Sequence, residues 1–157
     1  MKAGLLISFI AIILFSSCKN NIKDPEYRDI RNVHLITLGL LQSTAGADIV
    51  YYNPNKVGVQ VESATGDIYV ENNLFGQFEL SDKVQVKKKS EFTLPTLVKI
   101  DMASVIKNRD IYKQKQAMVR IEGTATVKKA GISKNVPIKY ESMQDIERFK
   151  SLVLPQQ

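Results

Sequence analysis

Cys18 is the single cysteine among 157 residues, and its thiol has the widest chemistry the chain offers: as a thiolate it attacks electrophiles, binds metals or accepts an acyl group. No second cysteine exists to close a disulfide within the chain. His34 is likewise the only histidine, so a histidine pair for zinc cannot be assembled, and a catalytic role for it lacks partners. Between Val33 and Leu35 it reads as a surface or edge-strand histidine facing away from its apolar neighbours. Gly131-Ile132-Ser133-Lys134-Asn135 begins like a nucleophile elbow, but Asn135 stands where the second glycine belongs and the run sits in a hairpin, so it reads as a turn. Asp24, Glu26 and Asp29 cluster in a polar stretch that nothing preorganises for acid-base or calcium chemistry. There is no glycine-rich phosphate loop. Lys87-Lys88-Lys89, the densest basic run, reads as a solvated turn. These residues imply no catalytic site, no metal and no cofactor, with the ligand-binding residues unassigned.

What surrounds Cys18 gives its chemistry a direction. Met1-Lys2 is a basic start, Ala3 to Phe15 an apolar run, and Ser16-Ser17 a pair of small residues before the cysteine, which are the three regions of a secretory signal peptide. A membrane-crossing helix needs roughly 20 apolar residues, and this run ends sooner, ahead of Lys19-Asn20-Asn21. Phe15-Ser16-Ser17-Cys18 resembles the lipobox of bacterial lipoproteins, with Phe15 in place of the more usual leucine. The resemblance implies cleavage before Cys18 and diacylglycerol on its sulfur, with further acylation such as palmitate. Each buried CH₂ contributes about 0.8 kcal/mol to membrane affinity, and two or three chains hold a domain at a bilayer without any protein segment crossing it.

Removal of Lys2 with the leader leaves 21 Lys+Arg against 16 Asp+Glu, a net charge of 21 − 16 = +5. An exported, tethered chain meets lipid phosphates and anionic glycans, with screening confining the attraction to about 8–10 Å, so nucleic acid is not an expected partner.

The expected organisation is a lipoprotein signal peptide over 1–17, a tether over 18–28 broken by Pro25, a β domain over 29–141 and a C-terminal helix and tail over 142–157. Val33 to Leu38 and Ala45 to Tyr52 read as strands from their β-branched and aromatic content. Val57, Val59 and Val61 alternate with Gly58, Gln60 and Glu62, the period of a half-buried strand. Glu71-Asn72-Asn73 joins Asp67–Val70 to Leu74–Leu80 in a hairpin, because Asn tolerates the left-handed backbone of tight turns. Pro95 within Glu91–Asp101 predicts an edge position or a bulge. Lys129-Ala130-Gly131 joins Ala117–Lys128 to Ile132–Tyr140 in a second hairpin. Met102–Tyr112 predicts a short helix capped by Asp101, and Ser142-Met143-Gln144-Asp145 looks like a capping box opening a second one. Short strands separated by Gly, Asn and Pro turns predict an all-β fold, an antiparallel two-sheet sandwich.

From Val33 to Tyr140 the chain resembles the type 2 late-embryogenesis-abundant domain, also called the water-stress and hypersensitive-response domain. The landmarks are Asn53-Pro54, Val57-Gly58-Val59-Gln60-Val61, Leu74-Phe75-Gly76, Leu94-Pro95, Gly123 and Val136-Pro137-Ile138, in that order. The resemblance implies a sandwich of about seven strands, of fibronectin type III character, with one helix, matching 102–112. It brings no catalytic residues and implies protection or binding under water stress.

Together these readings predict a non-enzymatic, lipid-anchored protein of the cell envelope, with the outer membrane favoured over the inner and the domain outside the cytoplasm. It would act as a binding or stress-protective module, reaching the membrane through Cys18, with an envelope protein or an anionic lipid or glycan as partner. The alternative is an accessory subunit docking one protein in an envelope assembly.

Overall fold

The computed structural model describes residues 22–147, 149 and 150. Eight strands run through it: β1 (Glu26–Thr37), β2 (Gln42–Asn53), β3 (Val59–Val70), β4 (Asn73–Leu80), β5 (Val84–Val86), β6 (Ser90–Asp101), β7 (Gln116–Lys129) and β8 (Ile132–Asp145). Helix α1 (Met102–Lys107) and a 3-10 turn (Ile111–Lys113) lie between β6 and β7.

All pairings are antiparallel, and they form one open sheet in the order β1-β2-β6-β4-β3-β7-β8, with β5 also on β3. The expected two-sheet sandwich is therefore replaced by a single continuous ladder. β6 is the reason: it pairs with β2 over its whole length and with β4 from Thr96 to Ile100, joining the halves that a sandwich would keep apart. Pro95 sits in this central strand rather than at an edge. Its carbonyl accepts a hydrogen bond from Ser81 N at 2.9 Å, just past the end of β4, so its missing donor faces a loop and costs the ladder nothing.

The hairpins form where the turn residues demand them. Glu71 and Asn72 take φ of 49° and 64°, and Ala130 and Gly131 take 48° and 81°, the left-handed pairs that match the twist of the flanking strands. β3 is one strand of 12 residues where two were expected. A register shift between Val61 and Ser63 reverses which parity faces inward, so Val61 is buried before the shift and Ala64 and Val70 after it.

β1 begins at Glu26, inside the stretch expected to be tether. Glu26 and Asp29 are strand residues, ion-paired with Arg28 and Arg31 at 2.8 and 3.1 Å. Bulges after Tyr27 and Arg31, the second at Asn32 with φ of 52°, space its inward residues three apart.

Asp101 caps α1 as expected, accepting from Ser104 N at 3.1 Å, but the helix ends at Lys107 and the chain continues to the 3-10 turn. The second helix is corrected more strongly. Ser142 and Met143 belong to β8, which pairs with β7 as far as Asp145, because ladder bonds to Val119 and Met118 outweigh a local capping box. Helical geometry begins only at residue 147, whose N–H donates to Asp145 Oδ1 at 2.9 Å; residues 151–157 lie outside the described residues.

Two separate apolar clusters hold the sheet. One gathers Ala45, Val70, Ile100, Met102, Val105, Tyr112, Ala117 and Ile146 at the α1 end, and the other gathers Val61, Val86 and Phe92 near β5. Burial pushes the Tyr112 phenol up to about 12. A phenol raised above its usual value near 10 contributes stability that is full below pH 10 and is lost as the pH climbs through 12. The thermal midpoint is therefore expected to fall between pH 10 and pH 12, and Tyr112→Phe to flatten that fall; an identical alkaline profile in the variant would remove Tyr112 as the cause.

Candidate functional site

The inward side chains follow from the strand periods. β2 turns Ala45, Ala47, Ile49 and Tyr51 onto the concave face, and β6 turns Leu94, Thr96, Val98 and Ile100 onto it. β3 contributes Ala64, Ile68 and Val70, β4 contributes Phe75, Phe78 and Leu80, and β7 contributes Val119 and Ile121. Through its bulges β1 adds Tyr27, Ile30 and Val33, and β8 adds Ile138, Tyr140 and Gln144.

These residues enclose a cavity of about 210 Å³ rather than a filled core. Ile49, Ile68, Phe78, Leu94, Ile121 and Ile138, in the middle of the concave face, are only half-buried. None is a buried member of either cluster, and Leu94 packs against the second. Close-packed interiors leave few voids larger than a water molecule, so a hollow of this size at the centre of an apolar face marks a site.

The sheet path starts at β1 and ends at β8, and no ladder joins the two. Their side chains nevertheless meet: the rings of Tyr27 and Tyr140 lie 6.5 Å apart, and Tyr27 stands edge-on to Tyr51 at 6.0 Å. The curled sheet thus has a seam, and three phenols gather along it. Gln144 Nε2 donates to the Tyr140 hydroxyl at 2.6 Å. Burial first, then proximity to Tyr140 and Tyr27, raises the Tyr51 pKa, so its phenol is neutral at ordinary pH. Among the described residues, no carboxylate, lysine, arginine or histidine lines the hollow.

Among the described residues, none of the sequence candidates lies in this hollow. Cys18 falls outside the described residues. His34 is an exposed residue of the edge strand β1; its Nδ1 is 2.6 Å from the Asn32 carbonyl, and its ring lies over Gly46. Lys87, Lys88 and Lys89 are exposed in the turn after β5. Gly131 to Asn135 form the β7–β8 turn and the start of β8, and Ser133 Oγ donates to Glu62 Oε2 at 2.9 Å rather than meeting a base. Among the described residues, no three His, Cys, Asp or Glu side chains converge as a metal site, and no helix is long and apolar enough to cross a membrane.

Asn53 shows why one family landmark matters. It is 5% exposed, and its side-chain nitrogen donates to the Val57 and Lys87 carbonyls, each at 2.9 Å, locking the end of β2 to the β5–β6 turn. Sequence reasoning missed Tyr27, Ile30, Tyr51 and Tyr140 as site residues. Tyr27 and Ile30 lie on β1, whose bulges hid the period, and Tyr51 and Tyr140 showed only as aromatic positions on their strands.

Comparisons with known proteins agree on the fold. A protein from Archaeoglobus fulgidus, known from a crystal structure, is 14% identical, with a TM-score of 0.51, and the match covers 76% of this chain and 97% of that one. A protein from Arabidopsis thaliana, determined in solution, is also 14% identical, with a TM-score of 0.58 over 83% of this chain and 88% of that one. No curated protein sequence matches this chain. Residues 48–142, more than half of the chain, match the family model described as late embryogenesis abundant protein, and the chain belongs to that family, LEA_2.

Proposed function

We propose that this protein is a non-catalytic binding module of the stress-protective kind, lipid-anchored to the cell envelope through Cys18, and that the concave interior of its sheet is the binding surface. The observation that carries the reading is the hollow of about 210 Å³, apolar throughout and reached along a phenol-lined seam. Such a lining offers burial and a few neutral hydrogen-bonding groups, with no pair of titratable side chains poised to exchange a proton. Membership of LEA_2 supports the binding role, and the leader and Phe15-Ser16-Ser17-Cys18 support the anchor.

A second reading, an accessory subunit that docks one protein, is favoured by a different feature. Leu40 and Leu41 are 92% and 81% exposed in the β1–β2 connection, an apolar tip that a protein partner could cover. Crosslinking in intact cells followed by purification and organic extraction separates the two. The binding reading expects extractable small molecules approaching one per chain and no protein partner in fixed ratio. A stoichiometric protein partner with nothing extractable would transfer the function to the tip.

A further inference from the structure

The geometry points to one unbranched fatty acyl chain as the occupant of the hollow, lying along the strands with its oxygen-bearing head at the β1–β8 seam. The inference rests on the reading of the interior as the binding surface and names its ligand.

Shape comes first. β6 alone lines the space from Leu94 to Ile100, a rise of roughly 20 Å at about 3.3 Å per residue. The hollow also touches Ala45, Val70 and Ile100 of the first cluster and, elsewhere along it, Tyr51, Leu80 and Leu94, which pack against the second. It is therefore long rather than round, and it exceeds the roughly 150 Å³ at which an apolar cavity already binds benzene.

Chemistry narrows the class. A charged ligand buried among Ile49, Ile68, Phe78, Ile121 and Ile138 would lose its hydration with no counter-ion to replace it. A sugar or nucleotide needs several buried donors and acceptors, yet of the other polar lining side chains Thr96 is already turned to the Leu94 carbonyl at 3.0 Å. A hydrocarbon chain needs none. The polar groups it does need, for one ester or carboxyl head, are where the hollow opens: Tyr27, Tyr51, Tyr140 and Gln144. The incomplete burial of the central aliphatic side chains is the complement of this ligand, because a chain threaded between them would complete it.

The test uses the full chain in its own membrane, incubated with a palmitic acid bearing a mid-chain diazirine, photolysed and mapped by peptide. Adducts are expected on the β3, β7 and β8 segments that hold Ile68, Ile121 and Ile138. Ala47→Phe and Ile138→Trp, which fill the hollow from opposite ends of the sheet order, are expected to cut that labelling at least tenfold while circular dichroism and the thermal midpoint report an intact fold. Competition needs no variant: excess unlabelled palmitic acid should remove the label saturably. Adducts confined to Leu38–Leu41, or labelling unmoved by filling and by competitor, would overturn the assignment. A co-purifying small molecule that is not a hydrocarbon, yet is displaced by Ala47→Phe, would also overturn it while leaving the interior as the binding surface.

Discussion

Gly66→Val is expected to destabilise the domain by about 3 kcal/mol, lowering the thermal midpoint by roughly 6–12 °C for a chain of this size. Gly66 of β3 faces Gly123 of β7 directly across the ladder. A Cβ at Gly66 would lie 2.2 Å from the Glu122 carbonyl oxygen, 2.6 Å from the Gly123 Cα and 2.6 Å from the Phe78 ring. The ring can move, but the carbonyl and the Cα belong to the ladder that holds β7 on β3. Phe78→Leu should therefore restore little of the loss when combined with Gly66→Val. An unchanged midpoint in thermal denaturation of Gly66→Val would show that the two strands do not approach as closely as the structure has them. The glycine pair also has a purpose for the site: it lets the Phe78 ring approach β3 and β7 closely, where it forms part of the wall of the hollow.

Cys18→Ala is expected to abolish incorporation of labelled palmitate and to prevent formation of a mature chain starting at residue 18. The expectation follows from a single thiol in a single place. With no other cysteine in the chain, no second thioether can substitute for it. At about 0.8 kcal/mol per buried CH₂, loss of the acyl chains removes most of the bilayer affinity of the processed protein. Labelling with palmitate followed by N-terminal sequencing of wild type and variant reads the effect. Palmitate retained on the alanine variant would separate the domain from this anchor.

The local elements were readable where the chemistry is local. Asn72 and Gly131 announced the two tight hairpins, Asp101 the start of the helix, and the valines before Glu62 a half-buried strand. The misreadings share a physical cause: a backbone irregularity or a distant partner overrode the local pattern. Bulges in β1 turned an alternating strand into one of period three, so Tyr27 and Ile30 were assigned to or beside a tether. A register shift in β3 changed its phase and split one strand into two. Ser142 looked like a helix cap because nothing nearby reveals that Val119 waits opposite it. The single sheet depends on β6 pairing with both β2 and β4, a fact of strand order that short-range patterns do not carry. The hollow is further removed still, since it consists of space left between residues that each look like ordinary core.

Native mass spectrometry of the chain released gently from its own membrane, with Ala47→Phe measured beside it, tests most directly whether the hollow of the curled sheet is where this protein binds. The wild-type chain should carry a non-covalent small-molecule mass at one per protein, and the filled variant should appear bare at the same charge states. Bare spectra from both, or an adduct that persists unchanged when the hollow is filled, would contradict the account.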